Sequence, residues 1–402
     1  MRILGPPQFI GQVVEAFSDV LTRPQLRHLA EYLTGLALGP RRTVRAIALR
    51  LVDGPDQSSL NRFLTQSPWS EEAVQERRLA LLRGAAGKDG RPGACLVLDD
   101  TLIEKSGPHI EDAARFRKYD GGYIWGHNIV TCHYASVHED YPISSRQYYR
   151  KHQCDEERPF KTKIALGCEL LSEAVQTHHI QAERALFDAA YLCLEMIEHC
   201  ESLELDWIAG CQSNRIVIGP SGHGVQLGEY LRQIPASAYR KVTVRGRDYF
   251  VFTKVLRMRS LKRRVRIAAV HEKQDLSDEP RLLVTNRKDW DRAKIVRLYG
   301  RRWAIERCYG TAKHCLGLQE CQLRRIAGIH KHWCLVWLAQ SLLPLCRAVG
   351  APQKQARRYL RSVEALCRQA ERSLLRETID WVWQAFEDGR SPAYVYQKLA
   401  IA

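Results

Sequence analysis

The chain has 402 residues, 45% of them hydrophobic, with 61 Lys and Arg against 45 Asp and Glu, a formal net charge of +16. This length allows two to three domains and a large core, and no run reaches the ~18 apolar residues that a membrane-spanning helix needs. The start, MRILGPPQFIGQ, lacks the apolar core of a secretory signal, so the expected location is the cytoplasm.

So basic a chain attracts polyanions, nucleic acid first among them. An anionic membrane would favour a polybasic segment gathered at one end. Here Lys and Arg recur over 41–50, 146–163, 240–266 and 287–302, which fits a long nucleic-acid groove and no membrane partner. The 13 cysteines include no Cys-x-x-Cys pair, so they read as small buried hydrophobes rather than a zinc site.

Residues 1–90 read as a helical N-terminal DNA-binding region, with apolar residues at helical spacing through 8–22, 24–38, 43–52 and 71–83. A helix over 42–52 is followed by the break Gly54-Pro55 and a short second helix. The first turn of that helix offers Gln57, Ser58, Ser59, Asn61 and Arg62. Helix-turn-helix readers place polar side chains there, although any helical hairpin shares the pattern. Gly84–Gly93 reads as a linker.

After it the pattern changes. Ala94–Asp100 is an apolar run ending in two carboxylates, the mark of a buried strand. Ile129–Val137 and Tyr141–Tyr149 predict an antiparallel pair about a turn at 138–140. A helix over 161–179, a strand Arg184–Asp188, a helix over 191–203 and a strand Asp206–Cys211 follow. This order predicts an α/β fold, a ribonuclease-H-like mixed sheet over 94–325. Residues 213–290 read as a β-rich basic insertion, and 326–402 as a helical C-terminal region. There 325–348, 353–375 and 376–388 are expected helices, with Trp333, Trp337, Trp381 and Trp383 as core. Gly121, Gly122 and the neighbouring aromatics of Lys118–Asn128 suggest a β turn that could also meet DNA, while His127 and His133 read as ordinary strand residues.

The densest segment is Tyr299–Lys313. It sets Tyr299, Arg302, Glu306 and Lys313 at intervals of three, four and seven, so the last three are expected near one face of a single helix. Asp100 and Asp188 end predicted strands, where ligands of open α/β sheets collect. An Asp in that place also commonly caps the next turn. Together the three carboxylates offer hard oxygen ligands for Mg²⁺, and two such ions ~3.5–4 Å apart serve phosphoryl transfer.

Those residues carry a specific resemblance. The chain resembles the DDE transposases of bacterial insertion sequences, in the group with a Tyr-(2)-Arg-(3)-Glu-(6)-Lys signature. Tyr299, Arg302, Glu306 and Lys313 match that spacing without a gap. The resemblance covers about 94–325 and extends to the long β insertion. It implies Asp100, Asp188 and Glu306 as the catalytic and metal-binding residues, with two Mg²⁺ per site and Mn²⁺ able to substitute. Asp99, facing the other side of its strand, then reads as structural. Tyr299, Arg302 and Lys313 would contact DNA phosphates.

The implied function is binding of terminal inverted repeats, cleavage at the transposon ends and transfer of the 3′-OH strands to target DNA. The partners would be double-stranded DNA and further copies of the chain, as a dimer or larger synaptic complex at the bacterial nucleoid. The alternatives are a nuclease without strand transfer and a domesticated DNA-binding protein. One departure concerns Arg281, which stands where relatives that form hairpin ends carry a base-stacking tryptophan. Trp290, Tyr249 and Phe250 are the candidate substitutes, each also readable as packing.

Overall fold

A computed structural model of the protein describes residues 3–52, 54, 56–86, 93–107, 109–118, 121–219, 222–349 and 363–399. The chain forms two compact units, one of Asp89–Thr101 with Asn128–Glu306, the other of Met1–Lys88, Leu102–His127 and Arg307–Ala402.

The first unit is built on a mixed sheet. β1 (Cys95–Glu104) opens with four buried residues, Cys95 to Leu98, and pairs in parallel with β5 (Arg184–Phe187). β5 pairs in parallel with β6 (Asp206–Gly210). These are short continuous apolar runs, as strands covered on both faces must be. On the other side of β1 lies β3 (Tyr123–Ala135), which pairs antiparallel with β4 (Asp140–Tyr148). The resulting order β4-β3-β1-β5-β6 is the expected ribonuclease-H-like sheet. α6 (Lys163–Ser172) and α7 (Leu194–Ser202) make the crossovers and pack together.

The insertion is interrupted in sequence but continuous in space. β12 (Arg281–Thr285) pairs antiparallel with β6, and β11 (Arg263–His271), β10 (Arg247–Met258), β7 (Ile216–Ile218) and β8 (Gly224–Gln226) extend the same sheet beyond it. β9 (Arg240–Val244) pairs with β10, and the short helix α8 (Leu227–Arg232) follows β8. The hydrogen-bonding edge of β6 is thereby used rather than left open.

The second unit joins both chain ends. Its N-terminal helices are α1 (Gln8–Glu15), α2 (Arg23–Leu38), α3 (Val44–Arg50), α4 (Gln57–Thr65) and α5 (Glu71–Ala86). α11 (Ile326–Val349) packs against α1, α2, α4 and α5, with Trp333 and Trp337 buried as expected. Within this core the Tyr32 hydroxyl and His332 Nδ1 are hydrogen-bonded at 2.9 Å.

Some expectations need correction. α5 runs through Gly84 to Ala86, so only part of the expected linker remains, and its residues 87–92 lie outside the described residues. The first part of the helix expected over 353–375 also lies outside them. From Val363 to Glu387 the chain is one continuous helix, α12, without a break at 375, because no Gly or Pro stands there to end it. α13 (Pro392–Leu399) follows. Trp383 is not core: it is 68% exposed, with its indole N–H donating to Glu387 at 2.8 Å. No helix among the described residues is long and apolar enough to cross a membrane.

Candidate active site

Parallel pairing of β1 and β5 sets Leu98 beside Phe187, so Asp99 and Asp100 lie next to the point where Asp188 leaves β5; Asp100 does not end its strand as expected, since β1 continues to Glu104. The Asp188 carboxylate accepts the Ala190 N–H at 2.9 Å, so it does cap its own turn. The Tyr191 N–H also bonds to this carboxylate.

The Tyr299–Lys313 segment is not one helix. α9 (Arg292–Tyr299) ends in a 3-10 turn over Gly300–Arg302, and α10 (Trp303–Cys315) starts afresh. The tighter 3-10 turn changes the azimuth of residues across it. Even so, Arg302 reaches one turn ahead to Glu306 and ion-pairs with it. Its other amino group donates to Asp99 Oδ2 at 2.9 Å. Arg302 and Asp99 side chains are 16% and 17% exposed, and Glu306 is 31% exposed.

Asp100 is held from another direction. Its Oδ2 accepts the Lys163 ammonium at 2.6 Å and the Asn128 amide at 2.9 Å. The Tyr191 hydroxyl donates to Oδ1 at 3.4 Å. Lys163 is the first residue of α6, whose N-cap Thr162 accepts the Ala165 N–H, so the cation sits on a fixed helix start.

Burial lifts the Asp99 carboxyl to about 7, with the negative charge of Asp188 adding to the effect and Arg302 opposing it. Asp188 is likewise raised, first by burial and also by Asp100, against its turn hydrogen bond and Arg302. Burial pulls the Arg302 guanidinium down, but Tyr299, Asp99, Glu306 and Asp188 together outweigh it and raise its pKa. Burial also raises Tyr299, whose hydroxyl stands 2.9 Å from where a Cβ on Gly210 would lie. A side chain at 210 would also crowd the Ala189 backbone nitrogen at 3.2 Å, so glycine there gives the tyrosine its room.

Asp99, Asp100, Asp188, Glu306, Arg302 and Tyr299 thus form one electrostatic group. Lys313 is half-buried seven residues beyond Glu306 on α10, its pKa lowered by burial. Asp99, expected to be structural, binds Arg302 and feels Asp188. Lys163, Asn128 and Tyr191 were not singled out. The basic stretch 146–163 contained the signal for Lys163, without marking which of its cations turns inward.

Among the described residues no three His, Cys, Asp or Glu side chains form a ready-made metal cluster. The donor set still fits a divalent cation. The oxygens are hard, and burial lifts Asp188, with its neighbour Asp99, toward the neutral form, the condition a nearby cation relieves. Arg302 and Lys163 supply positive charge to this group meanwhile.

Of the three candidate aromatics Trp290 is packing, while Tyr249 and Phe250 are half-buried on β10. Trp290 is 2% exposed, with Arg184, Arg287 and Lys294 over its ring at 5.4, 5.7 and 4.9 Å. Arg281 opens β12 on the surface.

Two family descriptions match this chain. One, a DDE superfamily endonuclease, covers residues 16–225, more than half of its length. The other, a transposase DDE domain, covers 161–342. The chain belongs to the DDE superfamily of endonucleases. Its second match places it with the transposases of mobile elements, enzymes that act on DNA and use divalent metals. No curated protein matches the chain.

Proposed function

We propose that the protein is a Mg²⁺-dependent transposase that binds the terminal inverted repeats of its own element, cuts at their ends and joins the freed 3′-OH to target DNA. The observation that carries this reading is the meeting of Asp99, Asp100 and Asp188, from two adjacent parallel strands, with the Arg302–Glu306 pair. Asp100, Asp188 and Glu306 would hold two Mg²⁺, or Mn²⁺ in their place. A divalent metal held there would supply Lewis-acid activation of the attacking oxygen and charge stabilisation of the leaving one.

The protein's own residues then position DNA. Arg302 presents a planar fork suited to a phosphate's paired oxygens, Lys313 a point charge, and Tyr299 a buried hydroxyl donor. The guanidinium of Arg302 and the ammonium of Lys163, already beside these carboxylates, would also be placed to meet the phosphates of the scissile strand. The exposed Gln57, Ser58 and Arg62 on α4, above buried Leu60, Phe63 and Leu64, would meet the terminal repeats. Two ends must be held together, so the working form is a dimer or larger synaptic complex. The helical N-terminal region 1–90, the catalytic region 94–325 and the C-terminal region 326–402 would divide end binding, chemistry and assembly.

The test is incubation of the protein with DNA carrying both flanks of its own gene, a target plasmid and Mg²⁺. Joined end–target products support strand transfer, cleavage without joining leaves a nuclease, and binding without cleavage leaves a DNA-binding protein.

A further inference from the structure

β2 (Ala114–Arg117) and the first residues of β3 form an antiparallel hairpin with Arg115 opposite Trp125 and Arg117 opposite Tyr123. Side chains alternate across a strand. Phe116 and Ile124 are accordingly buried at 7% each, and Ala114 at 2%. Arg115, Arg117, Tyr123 and Trp125 share the opposite face, which is open: Tyr123 is 58% exposed and Trp125 40%. The Arg115 guanidinium lies 3.8 Å from the centre of the Tyr123 ring. Lys118, exposed, closes the strand by donating its backbone N–H to Gly122 at 3.1 Å. Among the described residues no carboxylate pairs with these three cations.

Two large aromatic rings left in water are an unusual use of surface in a small hairpin. Interleaved with Arg115 and Arg117, they combine the two elements of a single-strand binding surface, π faces for stacking and positive charge for the backbone. An apolar partner would not call for the cations, and a duplex alone would not call for the rings.

We propose that this face of the hairpin is a stacking platform for unpaired DNA, with Tyr123 and Trp125 taking successive bases and Arg115 and Arg117 the phosphates. It rests on the reading of the chain as a DNA transposase and adds to it a surface for a strand freed from its complement.

Fluorescence anisotropy with a labelled oligonucleotide, single-stranded and then as a duplex, tests this on the full chain. Trp125→Ala and Tyr123→Ala should each weaken single-strand binding roughly tenfold and change duplex binding less than about twofold. Trp125→Phe should keep most of the single-strand affinity. Single-strand affinity unchanged in both alanine variants, or lost equally in the phenylalanine variant, overturns the stacking platform while leaving the transposase reading intact. Wild-type protein that binds neither probe overturns both. A variant that changes the oligomeric state but not DNA binding assigns the face to a second copy instead.

Discussion

Replacing Arg302 by Met removes the cation that joins Asp99 to Glu306 while keeping a side chain of similar length. In the wild type the guanidinium donates to Asp99 at 2.9 Å, pairs with Glu306 and lies in the field of Asp188. Removing one partner of a fully buried ion pair costs ~3–5 kcal/mol, whereas exposed pairs contribute ~1 kcal/mol or less. Arg302 and Asp99 are five-sixths buried and Glu306 is more solvated, so about 2–3 kcal/mol is expected. For a unit of this size that is a fall in melting temperature of roughly 5–10 °C.

The loss should grow from pH 6 to 8, because Asp99, already lifted to about 7, escapes the cost by protonating at the lower pH. Thermal unfolding of the single variants, Asp99→Asn and the double variant completes the cycle. The double variant should recover about 1–2 kcal/mol relative to additivity, within the usual range for residues in contact. Additive losses, or an Arg302→Met protein as stable as the wild type, would refute the coupling of these groups.

Other consequences follow from the same geometry. Lys163→Met removes the ammonium 2.6 Å from Asp100 and should tighten Mn²⁺ binding several-fold by electron paramagnetic resonance; unchanged affinity would mean that Lys163 does not compete with metal. Since the Asp99 pKa is raised, its stabilising contribution without metal is full below the ordinary carboxylate range and is lost as pH rises through about 7. Stabilisation by Mg²⁺ should therefore increase between pH 6 and 8 in thermal melts, and a flat response would contradict that. Gly210→Val places carbon against the Tyr299 hydroxyl and the Ala189 backbone, so a loss of ~1–3 kcal/mol in denaturant unfolding is expected, and full stability would show that Tyr299 moves freely. DNA affinity should fall steeply, on the order of a hundredfold or more, between ~50 and ~200 mM salt; near-constancy would exclude a phosphate-dominated groove.

Much of the sheet could be read from local pattern. Leu96–Leu98, Ala185–Phe187 and Trp207–Ala209 are short apolar runs whose composition already announces strands buried on both faces. That the insertion would extend the sheet depends on β12 reaching β6, a long-range pairing that spacing does not encode. Likewise, helical periodicity in 8–38 and 325–348 identifies apolar faces without saying that α11 meets α1 and α2. At the candidate site the Arg302–Glu306 spacing announced an i,i+4 contact. Strand alternation points Asp99 away from Asp100, but that rule holds inside a strand and does not keep Asp99 from an arginine presented by the 3-10 turn before α10.

The most direct test loads the protein with Fe²⁺ and uses ascorbate and peroxide to cut the protein backbone where the ion binds. Fragments ending near Asp100, Asp188 and Glu306, suppressed by excess Mg²⁺ and abolished by Asp188→Asn, are predicted. Cutting elsewhere, or cutting that survives Asp188→Asn and Glu306→Gln, would contradict a metal centre made by these three carboxylates.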